Sequence, residues 1–269
     1  MADPREQLRQ HVESLRLAGV TWLPRQADLT VPEAEPELEP EPAPAAKPVP
    51  LPVVPTALQT SLFAQAAEPA TPVPETTEER LAALEALKAQ VAACTRCPNL
   101  ASTRTQTVFG VGPLDPDLCF LGEAPGADED RLGEPFVGAA GQLLNRIINA
   151  CGMRREDVFI VNILRCRPPG NRQPTPLEAD NCRPYLERTL DLVKPRAICA
   201  LGATAVQNLL GVTQGITRLR GRWLEYRGIP VMPTFHPAYL LRTPAGKKDV
   251  WEDMKSILTR LGRTVPGKG

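Results

Sequence analysis

The chain has 269 residues, room for one large domain or for a medium domain with an appendage. Its formal charge is zero, yet residues 1–76 hold 11 acidic side chains against 5 basic ones, which leaves about +6 on residues 77–269 and suits a nucleic-acid partner. No segment approaches the length of a membrane span and the charged N-terminus lacks an apolar run, so a cytoplasmic chain with reduced thiols is expected, and the seven cysteines are not a disulfide framework.

Residues 1–28 carry Leu8, Val12, Leu15, Leu17, Val20, Trp22 and Leu23 among charges, a pattern for a short amphipathic helix ending near Gly19. Nine prolines between positions 32 and 55 then predict an extended linker that buries no core, and residues 29–76 are expected to be a disordered, Pro/Glu/Ala-rich connection. A globular domain is expected over 77–269. Thr77 can cap its first helix, and Leu81, Leu84, Leu87 and Val91 repeat at helical spacing through Cys94. A Gly-rich, strand-like turn at 107–112 precedes a short buried strand at 118–121. From Gly122 a long loop rich in Gly and Pro runs to Gly138 and feeds a helix over 139–151. Residues 158–164 form the clearest buried strand. Thr175-Pro-Leu-Glu178 opens a helix, with a capping Thr, Pro at the first position and an acid three residues on, and that helix runs to about Val193. A strand at 197–201 and a helix at 203–210 follow. The stretches 223–226 and 229–232 bracket Arg227-Gly228 as a hairpin or a pair of edge strands, and residues 248–261 close the chain as a helix. Strands alternate with helices, so the fold class is α/β: a mostly parallel central sheet with helices on both faces. In such sheets ligands bind beyond the C-terminal ends of the strands, where the 122–138 loop lies.

Four of the cysteines stand apart from the rest. Cys94 and Cys97 form a C-x2-C after a helix, Cys166 follows a strand, and Cys182 lies sixteen residues further on. Cys119, Cys151 and Cys199 read as small buried apolar residues. A tetrathiolate set holds zinc or an iron–sulfur cluster, and the wide second pair leans toward the cluster; a redox C-x-x-C is the third reading. The chain has two histidines, and with His11 in the arm, His236 is the one imidazole of the globular part. Asn162, at the mouth of the 158–164 strand, is either a satisfied core amide or a planar donor–acceptor pair for a ligand. Phe136, flanked by Pro135 and Val137 among loop acids, either plugs the core or walls a pocket.

Gly122-Glu-Ala-Pro-Gly126, Gly133-Glu-Pro-Phe-Val-Gly138, Ala140-Gly-Gln-Leu-Leu144, Val161-Asn-Ile-Leu-Arg-Cys-Arg-Pro-Pro169 and Thr234-Phe-His-Pro-Ala-Tyr239 together resemble the family 4 uracil-DNA glycosylases, over about residues 77–262. The resemblance implies a monofunctional glycosylase that flips uracil out of single- or double-stranded DNA and hydrolyses its N-glycosidic bond, starting base excision repair. It implies a 4Fe–4S cluster on Cys94, Cys97, Cys166 and Cys182. It casts Glu123 and His236 as catalytic, and Gly122, Glu129, Phe136, Asn162 and His236 as the uracil pocket, with Glu129 crowding the C5 edge against thymine. Tyr239, Leu240, Leu241 and Arg242 would form the loop that fills the gap left by the flipped base, although Leu240 and Leu241 read equally as core residues of a following helix. Arg165, Arg167, Arg172, Arg218, Arg220, Arg222, Lys247 and Lys248 are candidate phosphate contacts, each also readable as a surface charge. A monomer is expected, with no membrane partner; the arm reads as a solvated tail or as a tether for a repair or replication protein. Relatives that trap uracil covalently carry Gln in the first motif and a later His; here Ala124 stands in that place and no His lies between Cys151 and Phe235. A phosphate-binding enzyme is disfavoured because Gly122-x-x-x-Gly126 lacks the Lys-Ser/Thr of a P-loop. The reading from another class is a non-catalytic iron–sulfur module that binds uracil or DNA.

Overall fold

Leu118-Cys-Phe-Leu-Gly122 is apolar throughout and forms β1 (Leu118–Gly122), buried along its whole length because helices cover both faces of the sheet around it. The computed structural model describes residues 76–267, so the arm expected over 1–28, and the linker expected over 29–76 except its last residue, lie outside the described residues. The other strands are β2 (Phe159–Asn162), β3 (Ala197–Leu201), β4 (Leu224–Tyr226) and β5 (Ile229–Thr234). Their spatial order is β2-β1-β3-β5-β4. The first four in that order run parallel, and β4 returns antiparallel to β5 through Arg227 and Gly228, both at positive φ as a tight hairpin turn requires.

The helices are α1 (Thr77–Ala92), α2 (Pro98–Thr103), α3 (Ala127–Leu132), α4 (Ala139–Ala150), α5 (Pro176–Val193), α6 (Ala203–Leu210), α7 (Ile216–Leu219), α8 (Pro237–Arg242) and α9 (Lys247–Arg260). Strand alternation divides the core. Leu118 and Phe120 face Leu144 and Ile148 of α4 and Met254 and Ile257 of α9. Cys119 and Leu121 face Leu186 and Leu190 of α5 and Val206 and Leu209 of α6. Each such Leu or Ile contributes roughly 1.5–3 kcal/mol on burial. Among the described residues no helix is long and apolar enough to cross a membrane.

The structure corrects several sequence expectations. The cap of α1 is Thr76, whose side chain accepts from the Glu79 amide while Glu79 answers the Thr76 amide; Thr77 is already helical. The cap expected at Thr175 is present, with Glu178 as its partner. The long loop after β1 contains α3, where three consecutive acids at 128–130 lie in the favourable first turn. β2 is shorter than the apolar run, because beyond Asn162 only Ile163 and Leu164 keep donating to the Gly122 and Glu123 carbonyls. β5 is interior, leaving β4 as the edge strand on that side.

α1 is fastened by Arg80. Its guanidinium is buried, forks onto Asp115 at 2.8 and 2.9 Å, and donates to the Leu192 carbonyl at the end of α5. That hydrogen bond and the nearby positive charge hold the Asp115 carboxyl below its ordinary range. Arg80→Ala leaves buried carbonyls unpaired and is expected to lower stability by about 2–4 kcal/mol, read as an earlier midpoint in urea denaturation.

Candidate functional site

The C-terminal ends of β1, β2 and β5 open into a cleft of about 550 Å³, lined by Glu123, Phe136, Asn162, Arg172, His236 and Tyr239 among others. Gly122 lies opposite Asn162 in the parallel register. A Cβ on Gly122 would collide with Asn162 Oδ1 and come within 2.6 Å of the Phe136 ring, so the amide and the ring can close over the strand end only above a glycine. Asn162 is 2% exposed, and its Oδ1 has no hydrogen-bond partner in the protein. An unpaired buried acceptor costs about 1–3 kcal/mol, so this atom is poised for a donor from a ligand.

Two long-range staples shape the loop. The Glu129 carboxylate accepts from the Gly126 amide at 3.1 Å and from the Val137 and Gly138 amides at 2.9 and 3.0 Å, which draws the two ends of the motif together. Arg155 donates to Glu134 at 2.9 Å, to the Pro135 and Phe136 carbonyls at 2.5 and 3.2 Å, and to Asn145 of α4 at 3.0 Å. Between the staples Phe136 sits at φ +54°, a conformation that costs on the order of 1 kcal/mol or more for a bulky residue and survives only where its surroundings enforce it. Gly141 helps enforce it, since any side chain there would overlap the Phe136 carbonyl. The ring is 6% exposed, so it both packs into the core and walls the cleft. Sequence reasoning missed Arg155. It lies 19 residues from Phe136 in a 3-10 turn (Arg155–Asp157), and no local pattern separates it from a surface charge.

His236 caps α8. Its Nδ1 accepts from the Ala238 amide at 3.1 Å, which leaves the proton on Nε2 as a donor. The ring centroid is 5.6 Å from that of Phe136, with the planes tilted by 32°. Burial, reinforced by the positive charge of Arg242 and opposed by Glu129, pushes the His236 pKa down to about 4. Burial also raises the Glu123 carboxyl, against a hydrogen bond from the Thr204 side chain that favours the ionised form. The structure thus brings Gly122, Glu123, Glu129, Phe136, Asn162 and His236 to one strand edge.

The segment after His236 divides. Leu240 is 1% exposed and belongs to the core, whereas Leu241 is 46% exposed and Tyr239 and Arg242 are exposed beside the cleft, so Leu240 is withdrawn from the wedge. The basic candidates divide too. Arg165 is 1% exposed and bonded inside the protein, which withdraws it as an external contact. Arg220 is held by Asp253 at 2.8 Å and by the Asp249 carbonyl. Arg172 is forked onto Glu178 in the cleft wall, and Arg167 is bonded to Asn171. Arg218, Arg222, Lys247 and Lys248 are exposed.

A second cavity lies across the sheet from α4. Cys94, Cys97, Cys166 and Cys182 all line it, with Arg104, Arg165 and Tyr185. Arg104 donates to the Cys166 sulfur at 3.0 Å, and Asn181 lies 3.5 Å from that of Cys97. Cys119, Cys151 and Cys199 are buried elsewhere, and all seven thiols are unpaired. Among the described residues no group of three or more His, Cys, Asp or Glu is gathered as it would be around a single metal ion.

A sequence model of the uracil DNA glycosylase superfamily matches residues 109–255. The type-4 uracil-DNA glycosylase of Thermotoga maritima is 44% identical over 186 residues, which is 66% of this chain and 96% of that protein. The type-4 uracil-DNA glycosylase of Archaeoglobus fulgidus is 39% identical over 191 residues, 68% of this chain and 96% of that protein. The corresponding protein of Sulfurisphaera tokodaii is 40% identical over 183 residues, covering 65% and 83%.

Because the chain holds only two histidines, proton NMR can follow His236 directly, with His11→Ala fixing the assignment. Its ring is expected to stay neutral through pH 6.5 and to titrate near 4. Between those values the unfolded chain binds the extra proton, so this residue's contribution to stability falls as pH drops from 6.5 toward 4.

Proposed function

The chain belongs to the uracil DNA glycosylase superfamily, and from that premise we propose that it excises uracil from DNA as a monofunctional glycosylase, leaving an abasic site. The observation that carries the reading is the buried, unpartnered Oδ1 of Asn162 in a cleft shared with Phe136 and His236. A uracil flipped into this cleft loses its stacking in DNA and regains part of it on the Phe136 ring, roughly 1–3 kcal/mol for a base on an aromatic face. Asn162 Oδ1 accepts from uracil N3–H while its Nδ2 donates to O4. Cytosine presents the opposite pattern and would leave two buried groups facing like groups.

His236 then acts as a neutral donor. With Nδ1 engaged by the Ala238 amide, Nε2–H points its proton at uracil O2, where negative charge gathers as the glycosidic bond lengthens. Glu123 as carboxylate opposes the positive charge building on the sugar and orients the water whose oxygen bonds to C1′; the base leaves with the bonding electron pair and takes up a proton. Glu129 lines the cleft with its carboxylate locked by three amides, which supports its role against the 5-methyl group of thymine. Leu241 with Tyr239 fills the vacated position in the duplex, and Arg242 contacts a phosphate.

The four cysteines are the set that would hold a 4Fe–4S cluster. Four thiols from three separate segments face one cavity, and the basic side chains of Arg96, Arg104 and Arg165 line it with them. A cluster there would tie the residues after α1 and the loop around Cys166 to α5, and its contribution is structural. Seven unpaired thiols support a reducing, cytoplasmic setting, and the composition of residues 1–76 supports a tether for a repair or replication protein.

The test is base release from an oligonucleotide carrying one uracil, developed with alkali. Asn162→Ala and His236→Ala are each expected to lose roughly 100-fold or more in single-turnover rate. Wild-type activity rises with pH as Glu123 ionises, with a midpoint above the ordinary carboxylate range, and Glu123→Gln removes that limb along with most of the rate. Absence of release with DNA binding intact would replace the glycosylase by a binding module. Purified protein is expected to carry about four irons, and Cys166→Ser to lose most of them; an iron-free, zinc-bearing wild type would exclude the cluster.

A further inference from the structure

Arg165 is among the largest fully buried side chains of the described residues, and its guanidinium stays charged at any working pH. It donates through Nη1 to the Asn162 carbonyl at 2.6 Å and through Nη2 to the Thr189 hydroxyl at 3.1 Å, while Nε has no partner at all. Neither partner carries charge. The other buried arginine of the described residues does differently, for Arg80 forks onto Asp115. A buried charge left uncompensated is strongly destabilising. The Phe109 ring, 5.5 Å away, softens that cost without neutralising it. The ionisable groups that reach Arg165 are sulfurs, those of Cys182, Cys119 and Cys166. Its side chain lines the four-cysteine cavity, and its backbone amide hydrogen-bonds Cys182. On the other side, its Nη1 bond ends on the residue that reads the base.

We propose that Arg165 is the counter-charge of the four-thiolate site and the strut joining that site to the uracil pocket, a positioning residue that acts through Asn162. The inference rests on the cluster reading above. Four thiolates around a metal group keep a net negative charge, which supplies what the protein withholds from Arg165. Arg165 in turn holds the Asn162 carbonyl, and with it the end of β2, at a fixed distance from the cysteines.

The experiment compares Arg165→Lys and Arg165→Gln with wild type in the full-length protein, by iron and sulfide per chain, the cluster's reduction potential, and KM against kcat for base release. Gln keeps a donor for Asn162 and loses the charge; Lys keeps the charge. Arg165→Gln is expected to hold at most half the wild-type iron, and its remaining cluster to reduce at a more negative potential. Arg165→Lys is expected to restore iron content to within twofold. A soluble Gln variant with wild-type iron and potential overturns the proposal, whereas an insoluble Gln variant beside an iron-loaded Lys variant supports it. Thr189→Val removes one anchor and no charge, so it should keep the wild-type potential, and a shift there also overturns the proposal. An iron-free wild type removes the cluster reading and this inference with it; an iron-loaded wild type matched by the Gln variant removes this inference alone.

Discussion

The cleft depends on one register. β1 and β2 pair so that Gly122 meets Asn162, and the absent side chain at Gly122 is the space into which the amide and the Phe136 ring both lean. A slip of one residue would turn Asn162 into the opposite face of the sheet and set an apolar side chain against the ring. The register is protected by burial on both faces, since every residue of β1 and β2 is enclosed. The same packing that stabilises the sheet therefore determines where the amide points.

Around that point the protein is prepared before any ligand arrives. Glu129 and Arg155 reach across the loop from opposite sides, one gathering amides and the other gathering carbonyls, and Phe136 is left in a conformation it would not choose alone. His236 has its tautomer determined by a backbone amide two residues on. Flipping a base is costly, and a pocket that had to organise itself at the same moment would add to that cost. The unsatisfied Oδ1 of Asn162 is the complement of this order: a small, permanent destabilisation that a donor from a ligand would relieve.

Much of this was legible in the sequence. The α/β alternation, the cap at Thr175, the hairpin at Arg227-Gly228 and the separation of four cysteines from three all follow from local pattern, and the structure bears them out in the fold. The identities of Asn162, Phe136 and His236 as one cluster came through motif resemblance, because the pairing of Gly122 with Asn162 joins residues 40 positions apart and leaves no periodic trace. What could not be read was direction. Leu240 and Leu241 are equivalent in sequence, and only the packing of α8 sends one inward and the other outward. Arginines carry the least signal, for Arg155, Arg165, Arg80 and Arg220 look like any surface base, and each has a side-chain partner 10 or more residues away.

The margins of the sheet carry a consequence for how copies of this protein meet. On the β2 side, Val111 forms an antiparallel bridge to Ile160, exchanging both backbone bonds at 2.7 and 3.0 Å, so the outermost strand has part of its rim already occupied. On the far side β4 is only three residues long, with Glu225 exposed at its middle. Neither margin offers the long, flat, uncharged ladder on which strangers template β-structure. Within the described residues, then, two copies brought side by side have no sheet margin on which to zipper into each other.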